Sequence, residues 1–135
     1  MEKCVAVFAA INFTIIGLSH IWQQNAWREF FQALHTMGRP GAFANGLLTL
    51  FTGSIIVSFH NVWSGPAMTL TLIGWAYILK STVIFLHPDW NLRSMASVQN
   101  TPRWKLHLAG SLLLALAAVL LLCVIGGVYD QMPRV

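Results

Sequence analysis

Lys80 interrupts the apolar run "GWAYILKSTVIFLHPDW" (residues 74–90), seven residues before a histidine and a proline. Tyr77, Lys80, Ile84 and His87 follow one another at spacings of three, four and three, which places them on one face of a helix. A phenol, an ammonium and an imidazole on one stripe can polarise or protonate a bound molecule and relay protons. An ionisable residue within a membrane span marks a ligand or ion site by default. The plain alternative is a lysine that snorkels to the headgroups, although the axial distance to His87 is roughly 10 Å and a lysine stem covers only part of it. Asp89 and Glu29, at the rim, are the nearest acidic candidates for a counter-ion.

The five histidines are unevenly placed. His20, His87 and His107 fall at the same end of their predicted helices and His35 lies in the first long loop, whereas His60 is at the opposite end. With Lys80 and Tyr77, the ligand or proton-relay candidates are therefore His20, His87 and His107. Four imidazoles near one face could also hold haem or a metal, or simply face headgroups. No HxxxH, HExxH, CxxC or haem-attachment spacing occurs, so no metal and no resident cofactor is expected, with haem or quinone as alternatives. Neither a catalytic triad context, a glycine-rich phosphate loop nor a carboxylate pair is present.

The elements that must position these groups follow from composition. Of 135 residues, 56% are hydrophobic and 9% charged, against about a quarter charged in soluble domains. Stretches 4–27, 40–79 and 106–129 contain no Asp, Glu, Lys or Arg, and a spanning helix needs roughly 20 apolar residues. The turn signal "HNVWSGP" (60–66) divides the middle stretch. The expectation is an all-α integral membrane protein forming a single four-helix domain over 1–135, with spans at about 4–23, 42–60, 66–87 and 102–127. Pro66 and Pro102 suit first-turn positions, the latter with Thr101 as N-cap, and Gly126-Gly127 suits a helix end. A signal peptide with Lys3 as its charged start is the competing reading of the first segment, disfavoured because the residues before "HIWQQ" make no convincing small-x-small cleavage site.

Arg28, Arg39, Arg93, Arg103 and Lys105 fall in the two long loops, against Lys3 and Arg134 at the termini. The positive-inside bias predicts loops 24–41 and 88–105 in the cytoplasm and both termini outside, in a bacterial inner membrane. The net charge of +4 is explained by headgroups and does not imply nucleic acid.

Within the first loop, Trp27, Phe30, Phe31 and Leu34 follow i, i+3, i+4, i+7, opposite Arg28, Glu29 and Gln32. This predicts an interfacial amphipathic helix whose aromatic face meets lipid or a partner subunit. "WREFFQALHTMGRPGAFANG" (27–46) and "WNLRSMASVQNTPRWKLHLAG" (90–110) share a leading Trp, an Arg, a later Pro and a closing Gly. That faint repeat predicts two hairpins, the first span with the second and the third with the fourth, related by a two-fold axis along the membrane normal. Small and polar stripes (Asn12 and Ser19; Asn45, Thr49, Thr52 and Gly53; Gly110 and Ser111) would pack the spans. Cys4 and Cys123 are expected as buried free thiols near the outer face.

The function expected first is a small non-catalytic accessory subunit of a larger inner-membrane complex, surrounded by lipids and other integral membrane subunits. An alternative is a membrane-embedded enzyme or redox protein acting on a lipophilic ligand such as a quinone through Lys80, Tyr77 and the loop-side histidines. A third reading is a homo-oligomeric carrier for a small anion.

Overall fold

The computed structural model describes residues 1–130, so Arg134 lies outside the described residues. It contains six helices, α1 (Glu2–Trp22), α2 (Gln24–Thr36), α3 (Arg39–Phe59), α4 (Met68–Leu86), α5 (Pro88–Val98) and α6 (Arg103–Ile125), and a 3-10 turn at Val128–Asp130. There is no strand among the described residues. The helices α1, α3, α4 and α6 are each long and apolar enough to cross a membrane.

Helix ends follow from local chemistry. His87 leaves the helical region (φ −135°, ψ 67°) because Pro88 disfavours α geometry in the residue before it. Pro88 then opens α5, with Asp89 in its first turn. Gly38, at φ 66°, breaks the chain between α2 and α3 in a conformation that side chains disfavour. Two boundaries depart from the sequence expectation. Residues 64–67 form a turn, so α4 begins at Met68 and Pro66 lies before it. Pro102, extended at ψ 147°, caps α6 in place of Thr101.

The close helix pairs are α1 with α6 and α3 with α4. Glycine sits at each crossing. A Cβ on Gly17 would stand 2.9 Å from the Gly110 carbonyl oxygen, and one on Gly110 would stand 2.7 Å from that of Gly17. In the other pair, a Cβ on Gly53 would meet the Gly74 carbonyl at 2.9 Å, while one on Gly74 would strike the Ile56 and Val57 side chains at 2.7 and 2.9 Å. These backbones approach as small-residue membrane interfaces do. The hairpins expected between consecutive spans are therefore not the close pairs: α1 meets α3 only sparsely. The helices α2 and α5 take up the distance between consecutive spans, and only the short 60–67 turn forces sequence neighbours together.

Each close pair takes one helix from each half of the chain, and α2 packs on α5 at the same end of the bundle. At that loop end the halves are joined by Arg28 Nη2 donating to the Thr101 carbonyl (2.7 Å), Gln99 to the Arg28 carbonyl (3.2 Å) and His35 to the Leu92 carbonyl (3.1 Å). At the opposite, turn end lies the apolar core, which includes Ala6, Ala10 and Phe13 of α1, Ile56 of α3, Leu70 of α4 and Leu120 of α6. Cys123 joins that core, whereas Cys4 is exposed, so one of the two thiols expected to be buried is not; both are free.

The glycine crossings predict that Gly110→Leu and Gly74→Leu each lower the thermal unfolding midpoint in detergent, at a cost of about 1–3 kcal/mol typical of overpacked sites. Ser111→Leu, on an exposed position beside Gly110, leaves the midpoint unchanged. Equal midpoints for all three variants, read by circular dichroism, would contradict the packing described.

Candidate functional site

A cleft of about 570 Å³ opens between α1, α3 and α4. Its walls are mostly apolar, and its polar members are Asn12 and His20 of α1, Thr49 and Thr52 of α3, and Tyr77 and Lys80 of α4. Trp27 and Phe31 of α2 lie over its loop end, and Phe8, Ile55 and Leu113 lie towards the core. Phe51 (72% exposed) and Leu48 (62% exposed) stand at a mouth open on the flank of the bundle.

Hydrogen bonds within each helix decide which polar atoms remain available. Thr49 and Thr52 donate to the carbonyls of Asn45 (2.8 Å) and Leu48 (2.9 Å), and the Asn12 amide donates to that of Phe8 (2.8 Å). Those groups keep accepting capacity. His20 Nδ1 lies 2.9 Å from the Ile16 carbonyl. A carbonyl only accepts, so Nδ1 carries the proton and Nε2 is the free atom of the neutral ring. The ring stacks on Trp27 at 4.1 Å, and the Trp27 indole donates to Ser19 Oγ (3.0 Å). The Tyr77 hydroxyl and the Lys80 ammonium have no hydrogen-bond or ion-pair partner among the described residues.

The structure thus brings together Tyr77, Lys80 and His20, and leaves His87 and His107 elsewhere. His87 stands on the stripe of Tyr77 and Lys80 only while the helix continues. At the Pro88 break its ring turns onto Trp90 (5.5 Å) in a separate depression with Arg39, Asp89 and Arg93. His107 is exposed in another depression with Trp22, Gln24 and Arg103. Asp89 is not a counter-ion for Lys80 here: its Oδ1 is 3.5 Å from Arg39 Nε. Of the aromatic stripe on α2, Leu34 is buried, Trp27 and Phe31 are half-buried and Phe30 is exposed. No group of three or more His, Cys, Asp or Glu side chains that could hold a metal ion occurs among the described residues.

His60, which sequence reading treats as the isolated outer histidine, is fully buried. Its Nδ1 is 3.2 Å from Thr71 Oγ1 and its Nε2 is 3.1 Å from the Tyr129 hydroxyl. The Thr71 hydrogen is best placed on the Val62 carbonyl at 2.8 Å. Neutral His60 then donates through Nδ1 to Thr71 and accepts from Tyr129 at Nε2. Spacing gives little warning of this triad, because His60 and Tyr129 are 69 residues apart. No family model matches the chain, and no curated protein or solved structure shows significant similarity to it.

Burial lowers the pKa of His60 below 6.5, against smaller opposing effects of its own backbone hydrogen bond and Glu2. Burial, reinforced by Cys123 and Glu2, pushes Tyr129 up to about 12 from 10.0. The folded state therefore binds fewer protons at His60 and more at Tyr129 than the unfolded chain. The sign of linkage follows: the His60 contribution is complete above pH 6.5 and is lost as pH falls below it, and the Tyr129 contribution is lost as pH rises from 10.0 towards about 12. Unfolding midpoints measured across pH should form a plateau between those limits. Tyr129→Phe is expected to flatten the alkaline limb and leave an acid limb.

Proposed function

We propose that the cleft holds one lipophilic molecule taken laterally from the bilayer, its apolar body against Phe8, Phe13, Ile16 and Ile55 and its polar head at the level of Tyr77 and Lys80. The observation that carries this reading is the convergence of Tyr77, Lys80, His20 and Asn12, from two different helices, on one otherwise apolar cavity. Its volume lies within the several hundred cubic ångströms common for small-molecule sites. The open flank provides an entry from the hydrocarbon, and α2 covers the cavity from the loop side. A quinone is one such molecule, its carbonyl oxygens accepting from Tyr77 and Lys80. Should the site also move a proton, His20 Nε2 is the group placed to exchange it near the loop end. His87 and His107 have no part in this reading.

The same reading places the loop end in the cytoplasm, supported by Arg28, Arg39, Arg93, Arg103 and Lys105 gathered there. In that setting α2 lies at the membrane boundary, with Phe30 towards lipid and Trp27, Phe31 and Leu34 towards the protein. A second reading keeps the chain as a non-catalytic accessory subunit of an inner-membrane complex. It is favoured by the exposed Phe51 and Leu48 at the mouth, which a partner's transmembrane helix could cover as well as a ligand could.

The test is purification in mild detergent followed by native mass spectrometry and solvent extraction. A retained lipophilic small molecule is expected, and Thr52→Trp, which fills the cleft from α3, is expected to release it without lowering the unfolding midpoint. Retention unaffected by Thr52→Trp would refute the cleft as its site. Stoichiometric recovery of another membrane protein, lost on the same substitution, would favour the accessory subunit.

A further inference from the structure

We infer that the occupant of the cleft carries an acidic head, a carboxylate or phosphate on a long apolar tail, bound by Lys80 and Tyr77. This rests on the reading of the cleft as a site for a lipophilic molecule and names that molecule's class.

Charge accounting carries the argument. The chain has four acidic residues, Glu2, Glu29, Asp89 and Asp130, and among the described residues no carboxylate lines the cleft. Glu2 and Asp130 belong to the turn end, Asp89 lies against Arg39, and Glu29 is exposed on α2. Lys80 is six residues inside the loop-side end of α4, roughly 9 Å along the axis at 1.5 Å per residue. A cation at that depth is costly unless it meets an opposite charge or water. Among the described residues no side chain supplies an opposite charge in the cleft, so the ligand is the natural source of one.

Hydrogen-bonding capacity points the same way. Tyr77 and Lys80, three residues apart on α4, are adjacent donors with no partner among the described residues. The threonine hydroxyls opposite already spend their hydrogens on their own helix. A head made only of acceptors matches two adjacent donors, and an ionised one makes the stronger, charge-assisted bonds. A quinone carbonyl would use the donors and leave the ammonium without a counter-charge. The tail then runs from Lys80 towards the core along Phe8, Ile55 and Leu113, in the direction of a lipid of the loop-side leaflet.

The experiment uses the full-length protein in a nonionic detergent and follows quenching of tryptophan fluorescence, Trp27 being in the cleft wall. The probes are dibrominated stearic acid and dibrominated stearyl alcohol, which share a tail and differ in the head. At neutral pH the acid is expected to saturate the signal at a concentration about tenfold below the alcohol, the ratio that one modest charge interaction produces. Lys80→Gln should bring the two together and Lys80→Arg should keep them apart; Lys80 is exposed, so neither change disturbs the core. Competition by an anionic phospholipid would trace the acidic head to a bilayer lipid, and competition by free fatty acid alone would trace it to a single-tailed acid, both in support. Saturable but equal binding of the two probes to the unmodified protein, or a preference that survives Lys80→Gln, overturns the acidic head and leaves the cleft reading standing. Absence of saturable quenching by either probe overturns both.

Discussion

The architecture depends on the backbone approach at two glycine crossings, Gly17 with Gly110 and Gly53 with Gly74. In hydrocarbon, apolar side chains gain little by exchanging lipid for one another, so helix association relies on close packing and hydrogen bonds. The absence of side chains at these four positions lets α1 approach α6 and α3 approach α4. Once each helix is committed to a tight partner, less of its surface is available to the other pair. The cleft lies between the two pairs, where facing residues such as Asn12, Thr49 and Thr52 are short.

The membrane character and number of spans were legible in the sequence because both are one-dimensional properties: an uncharged length compared with a helical rise. The packing order was not. The faint repeat from Trp27 and from Trp90 sets two connections side by side, yet similarity between halves does not say which helices touch. The observed pairs exchange a helix between halves, which the pattern permits equally. The helix α5 escaped notice for a different reason. Residues 88–98 have no continuous apolar stripe, and their helicity depends on Pro88 and Asp89 at the start and on packing against α2.

Site residues divide along the same line. Tyr77 and Lys80 share a face through local helical geometry, so spacing was enough to associate them. His87 shared that spacing but sits at the residue where Pro88 ends the geometry on which spacing arguments rest. His20 lines the same cleft from a helix distant in sequence, and no spacing rule distinguishes it from His107, which occupies an equivalent end of α6 and lies in another depression. The burial of His60 likewise needed the chain after α6 to fold back, bringing Tyr129 to the end of α3.

The two helix pairs are fastened at both ends. At the turn end, His60 joins the end of α3 to Thr71 of α4 and to Tyr129 beyond α6. At the loop end, Arg28, His35 and Gln99 link α2 to the second half, and Asn45 donates to Asn91 at 3.3 Å. Backbone carbonyls accept three of those four loop-end bonds, so the clamp tolerates side-chain variation at its accepting positions better than at its donors. The cleft lies between those two fastenings, with its mouth on the flank of the bundle.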